Sequence, residues 1–128
     1  MNRESALVSN VLPYLPLTQG AYYLATGLWP LLSIRTFQAV TGPKMDRWLV
    51  KTVGVLIAVI GTVLILAGIR HEFGLEIVVL AFGSAIGLTG IDVWYVARKV
   101  IAPIYLLDAV AELTLIALWI VAERTSAA

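Results

Sequence analysis

Three acidic residues and one basic residue lie within long apolar stretches of this chain. They are Lys51, Asp92, Asp108 and Glu112. An ionisable side chain inside a hydrocarbon layer costs at least a few kcal/mol unless it meets a partner or water. Lys51 supplies one positive charge and can neutralise only one of the three carboxyl groups. The pattern indicates a polar, ligand- or proton-binding site within a membrane.

The last apolar stretch carries two of these acids on one helical face. Asp108 and Glu112 are four residues apart, which places them one turn apart on the same side of a helix. The same face also carries Tyr105, Leu115 and Trp119. Like charges at this spacing repel, and burial disfavours ionisation, so we expect the deeper Glu112 to keep a proton at neutral pH.

A second interpretation gives these charged residues a structural role. Ion pairs or hydrogen bonds between helices would hold a small bundle in register. Lys51 with Asp108, and Asp92 with Arg98, are candidate pairs on this interpretation. Lys51 is also shallow enough for its ammonium group to reach the headgroups. The sequence leaves the binding-site and structural interpretations open.

Four apolar stretches position these residues, and each is long enough to cross a bilayer. A helix needs about 20 mostly apolar residues to cross about 30 Å of hydrocarbon. The predicted spans are 14–34, 48–69, 75–97 and 104–122. A hydrophobic content of 60%, with 13% charged residues and a mean hydropathy of +0.92, excludes an ordinary water-soluble domain. The sequence therefore predicts one all-α domain over 1–128, an integral membrane four-helix bundle with short loops.

The distribution of Lys and Arg predicts the orientation. The first and third loops, with their edges, contain Arg35, Lys44, Arg47, Lys51, Arg98 and Lys99, and the other side contains Arg3, Arg70 and Arg124. The positive-inside rule therefore predicts that both termini lie outside the cytoplasm, in a bacterial inner membrane. Counted from the cytoplasmic ends, Asp92 and Asp108 lie about 9 Å deep and Glu112 about 15 Å deep.

Small residues at helical spacing predict where helices approach one another closely. Such stripes are Gly54, Ala58 and Gly61 in the second span, and Gly83, Gly87 and Gly90 in the third. The third span has another stripe, Ala85, Thr89 and Asp92. The first span carries a stripe too polar for lipid, Gln19, Tyr22, Thr26 and Ser33. We expect all of these stripes to face other helices.

Two further features mark the ends of the spans. Pro30 predicts a kink, after which residues 33–40 continue as a helix lying partly in the interface. The aromatic residues near the span ends are Tyr14, Trp29, Trp48, Trp94 and Trp119. Their amphipathic rings suit the headgroup level, so we predict that they act as membrane anchors.

Composition disfavours several kinds of chemistry. The chain has no Cys and a single histidine, His71, so thiol catalysis and disulfides are excluded, and a Ser-His-Asp set or a metal site is not predicted. The basic residues are scattered, which argues against nucleic-acid binding. No motif identifies a cofactor or a protein family.

Three functions stay open. The first is a cytoplasm-facing acidic site that binds or transports a proton, a cation or a small amphiphile. The second is a non-catalytic accessory or structural subunit, with other membrane subunits or further copies of this chain as partners beside the lipid bilayer. The third is an enzyme acting on a lipid-like substrate with two carboxylates as acid and base. The first two are favoured over the enzyme.

Overall fold

A computed structural model describes residues 14–127, with side chains described as far as Arg124. Over this range the chain forms helices joined by short connections and no strand. The helices are α1 (Tyr14–Leu32), α2 (Ile34–Thr41), α3 (Arg47–Arg70), α4 (Leu75–Ala97) and α5 (Tyr105–Ala127). Arg3, which contributes to the predicted orientation, lies outside the described residues. The all-helical prediction is confirmed for the described part of the chain.

Three of these helices are long and apolar enough to cross a membrane. They are α3, α4 and the Tyr105–Arg124 part of α5, and they indicate a membrane-embedded protein. The first predicted span, now α1, is not among them. It carries Gln19, Tyr22 and Tyr23, and such polar groups lower the hydropathy of the helix. The prediction of four spans is therefore confirmed for three helices.

The chain breaks between α1 and α2 at Ser33 rather than at Pro30. Pro30 lies inside α1, where its missing N–H leaves a carbonyl one turn earlier without its helical partner. Ser33 has an extended φ of −154°, and its side chain accepts a hydrogen bond from the Thr36 backbone N–H at 3.3 Å. Trp29 meets Phe37 edge-on at 5.3 Å between ring centroids. The predicted continuation is thus a separate, capped helix that contacts the end of α1.

The helices form two closely packed pairs, α1 with α3 and α4 with α5, which touch each other over shorter stretches. Glycines bring the backbones of α1 and α3 together. A Cβ on Gly20 would lie 2.6 Å from the Gly61 carbonyl oxygen, and a Cβ on Gly27 would lie 2.6 Å from the Gly54 carbonyl oxygen. Ala58 is buried between these two crossing points. The small stripe of the second predicted span therefore lies against α1.

The glycines of α4 have a different environment. Three of them form an exposed stripe, here called the glycine face: Gly83, Gly87 and Gly90. A Cβ at any of these positions would meet nothing within 4 Å. The helix buries Ala81, Ala85 and Asp92 instead. Residues 14–124 therefore do not pack against the glycine face, and the other small stripe of α4 faces inward.

Both basic loops lie at one end of the bundle. The Lys44 ammonium lies 5.0 Å from the centroid of the Tyr105 ring, and one cavity is lined from both loops. We call this end, formed by residues 42–46 and 98–104, the basic end. The apolar core lies toward the opposite end and consists of Leu15, Tyr23, Leu64, Ala81, Trp119 and Ala122.

Candidate functional site

The three acids predicted from the sequence lie on the inward faces of α4 and α5. Glu112 is fully buried and Asp92 is 4% exposed, while Asp108 is half-buried. The buried face of α5 also includes Ala109, Leu115, Trp119 and Ala122. This face follows the spacing of three and four residues that places side chains on one side of a helix. We call Asp92, Asp108 and Glu112 the acidic cluster.

A chain of hydrogen bonds leads from Trp119 to Glu112, and the first donor determines which group donates in each bond that follows. An indole N–H can only donate, and Trp119 Nε1 donates to Gln19 Oε1 at 2.8 Å. The Gln19 amide is thereby oriented, and its Nε2 donates to Tyr23 Oη at 3.1 Å and to the Ala81 carbonyl oxygen at 3.0 Å. Tyr23 then donates its single hydroxyl proton to Glu112 Oε2 at 2.7 Å. One carboxylate oxygen of Glu112 is therefore satisfied by α1.

The neighbouring tyrosine binds the second acid of α5. The Tyr22 hydroxyl donates to Asp108 Oδ1, so two adjacent residues of α1 hold two carboxyl groups that are one turn apart on α5. On the other side, Asp92 of α4 is close enough to Asp108 for the two carboxyl groups to interact electrostatically. Two ionised carboxylates near each other repel, so a proton on either of them would stabilise the pair.

Two oxygen atoms of the acidic cluster are buried and have no hydrogen-bond partner among the described residues. They are Asp92 Oδ2 and Glu112 Oε1. Leaving such an atom unpaired costs about 1–3 kcal/mol, and more if the group is charged. The protein therefore places two acceptors where a proton, a cation or a bound water would relieve their isolation.

The candidate ion pairs of the structural interpretation are not formed. Lys51 is exposed, and Arg98 lies against the Trp94 ring, with its guanidinium carbon 5.5 Å from the ring centroid. Among the described side chains, the ion pair that forms joins Arg70 to Glu72 at 3.4 Å. The acidic cluster consequently has no cationic partner among residues 14–124.

The exposure of the polar residues differs within the site. Asp108, in the first turn of α5 beside the basic end, is half-buried, and so is its partner Tyr22. The remaining members of the network are buried: Gln19, Tyr23, Asp92, Glu112 and Trp119. Asp108 is therefore the least buried member of the acidic cluster.

Sequence reasoning missed two residues of this network. Tyr23 was not singled out, because it lies beside the predicted polar stripe of α1 rather than on it. Trp119 was predicted to be a membrane anchor, and that prediction is wrong, since its ring is fully buried and its N–H is bonded to Gln19. Its position seven residues after Glu112, two turns along the same face, was the signal that could have placed it inside.

Comparison with known protein families, with curated proteins and with solved structures finds no match to this chain. The chemistry open to the site comes from its own geometry. Neighbouring carboxyl groups with tyrosine donors can hold a proton and pass it from one oxygen to the next. The described residues offer no group of three carboxylate or imidazole ligands suited to one metal ion.

Proposed function

We propose that this chain is a small membrane protein whose acidic cluster binds a proton taken up from the basic end. The observation that carries the proposal is a pair of buried oxygens in a cluster of three acids, Asp92 Oδ2 and Glu112 Oε1, for which residues 14–124 supply no hydrogen-bond partner. A purely structural network would be expected to satisfy such atoms, because each one left unpaired destabilises the fold.

A proton fits this site better than a metal ion or a larger cation. A metal ion would find no set of three carboxylate or imidazole ligands among the described residues. A proton needs only one oxygen, such as Asp92 Oδ2, or Glu112 Oε1 on the carboxyl group that accepts from Tyr23.

The placement of the site in the membrane is part of the proposal. We propose that α1 is a fourth span, because it lies along α3 and donates its polar side chains to the interior rather than to lipid. We further propose that the basic end faces the cytoplasm of a bacterium across its inner membrane, because Lys and Arg are in excess at that end. The acidic cluster then opens toward the cytoplasm.

Replacing Glu112 by Gln tests this proposal. The amide oxygen can still accept from Tyr23, while the titratable group is lost. We expect the purified variant to bind about one proton fewer than wild type over the neutral range. Infrared difference spectroscopy across a pH titration measures this, because protonated carboxyl groups and carboxylates absorb at separate frequencies. Asp92→Asn should remove a second, separate carboxyl signal.

The matched control is Glu76→Gln, since Glu76 is an exposed acid in the first turn of α4. Its replacement should leave the signal from buried carboxyl groups unchanged. Identical titrations of wild type, Glu112→Gln and Asp92→Asn would contradict a proton site in the acidic cluster.

A second function is favoured by the glycine face. We propose as the alternative that this face docks a further membrane helix, from another subunit or a second copy, which would make the chain an accessory or structural subunit. The support is that Gly83, Gly87 and Gly90 are exposed with no neighbour within 4 Å of a Cβ at any of them. Small residues on an open face allow another helix to approach closely.

The mass of the native particle in a mild detergent tests the alternative. If the glycine face docks a helix, the particle is larger than the 13.9 kDa chain, and Gly87→Leu reduces it to the monomer by blocking close approach. Ala117→Leu, at an exposed small residue of α5, should leave the mass unchanged. A wild-type particle that is already a monomer would remove the basis for this alternative.

A further inference from the structure

A second polar feature lies outside the acidic cluster, where α2 meets the start of α3. A cavity of about 470 Å³ there is lined by Ile34, Arg35, Gln38, Ala39, Pro43 and Arg47. Its two charged residues are both arginines, and both are exposed. Two guanidinium groups facing one space repel each other, so an anion between them would lower the electrostatic energy.

The local structure holds the cavity open between two helices. Ser33 caps α2, and the contact of Trp29 with Phe37 fixes this short helix against α1. Gln38 Oε1 accepts a hydrogen bond from the Lys44 backbone N–H at 2.8 Å, which ties α2 to the loop before α3. The NH2 group of the same amide, which can only donate, points away from this hydrogen bond.

Neither Arg35 nor Arg47 forms an ion pair with a described acid, including Asp46, which directly precedes Arg47. The ion pair found among described side chains, Arg70 with Glu72, lies at the opposite end of the bundle. Arg47 also begins α3, where the positive end of the helix dipole adds to its charge. Guanidinium groups hydrogen-bond phosphate oxygens in pairs, so phosphate is the anion that matches two arginines and an amide donor.

The cavity lies at the end of an apolar helix, where the headgroups of a bilayer crossed by that helix would be. Arg47 is the first residue of a helix that is long and apolar enough to span the membrane. The next residue, Trp48, is 69% exposed, as expected for an aromatic ring in the interface. The apolar lining, Ile34, Ala39 and Pro43, suits the glycerol and the first acyl carbons of a lipid.

We propose that the cavity between α2 and α3 binds the phosphate of an anionic phospholipid, with Arg35 and Arg47 as its cationic ligands. Neighbouring helices with basic residues at a membrane surface recognise such headgroups by this combination of charge and depth. The site is separate from the acidic cluster and does not depend on proton binding there.

Thermal unfolding of the purified protein in a neutral detergent tests this site. The probes are short-chain phosphatidylglycerol, phosphatidylcholine with the same acyl chains, and inorganic phosphate. We expect phosphatidylglycerol to raise the unfolding temperature of wild type in a saturable way. Each of Arg35→Gln and Arg47→Gln should weaken the apparent affinity about tenfold, and the double variant should lose the response.

The double variant Arg70→Gln/Arg124→Gln is the matched control, because it removes two exposed positive charges elsewhere. It should respond to phosphatidylglycerol as wild type does. An equal response to phosphatidylcholine, or an undiminished response in Arg35→Gln/Arg47→Gln, would overturn the proposal. A response to inorganic phosphate as strong as that to the lipid would overturn its assignment to a headgroup.

Discussion

Replacing Gly61 by Ala should be among the most destabilising single-methyl changes in this protein. The added Cβ would lie 2.6 Å from the Gly20 carbonyl oxygen and 2.6 Å from the Leu24 backbone nitrogen. Both contacts are with backbone atoms, which cannot rotate away, so α1 and α3 would have to separate. We expect a loss of about 3 kcal/mol in the free energy of unfolding, at the upper end of overpacking effects.

An unfolding titration in mixed micelles, on monomeric protein, measures this effect. Gly87→Ala is the matched control because a Cβ there meets nothing within 4 Å. It should leave the stability within about 1 kcal/mol of wild type, or raise it, since Ala is the better helix former. Equal effects of the two substitutions would mean that α1 and α3 do not cross at Gly61.

The register of α1 and α3 explains why this position is sensitive. Gly20 and Gly27 are seven residues apart on α1, and Gly54 and Gly61 are seven residues apart on α3. Seven residues make about two helical turns, so each pair lies on one face. The helices run in opposite directions, and Gly20 meets Gly61 while Gly27 meets Gly54. A change at one crossing point therefore acts on the whole contact.

The sequence predicted the helical ends better than the partners of each helix. The apolar runs of α3, α4 and α5 are continuous, and the predicted bounds differ from the observed ones by a few residues. The small stripes were ambiguous. A stripe shows that a close approach is possible but not which helix makes it, and so Gly61 and Gly87 looked equivalent although one is buried and the other exposed.

The acidic cluster shows the same limit. Hydrophobic context was sufficient to single out Asp92, Asp108 and Glu112, because charged groups in apolar runs are conspicuous. Their partners could not be read from the sequence, since they come from α1 and depend on how two helix pairs meet. The expected cation Lys51 is exposed, and the hydrogen-bond donor to Glu112 is Tyr23.

A double-mutant cycle between Tyr23 and Glu112 should reveal strong coupling between α1 and α5. Tyr23→Phe removes the hydroxyl that donates to Glu112, and no other described residue donates to that carboxyl group. It also removes one of the two acceptors of the Gln19 amide NH2. Each such loss in a buried position costs about 1–3 kcal/mol. Glu112→Met removes both carboxylate oxygens, including the unpaired Oε1. Only the Tyr23 hydroxyl then loses its acceptor.

In Tyr23→Phe/Glu112→Met, the donor and the acceptor are removed together, so no carboxylate is left without its partner. The double variant should therefore be less destabilised than the sum of the two single variants, by about 1–3 kcal/mol, the cost of leaving a buried hydrogen-bonding group unpaired. Thr114→Val is a suitable control on the exposed face of α5, where the Thr114 hydroxyl bonds only its own helix, to the Val110 carbonyl oxygen. Its effect should add to that of Tyr23→Phe. Additive behaviour of Tyr23→Phe with Glu112→Met would show that the two side chains do not interact, because a shared buried hydrogen bond cannot be lost twice.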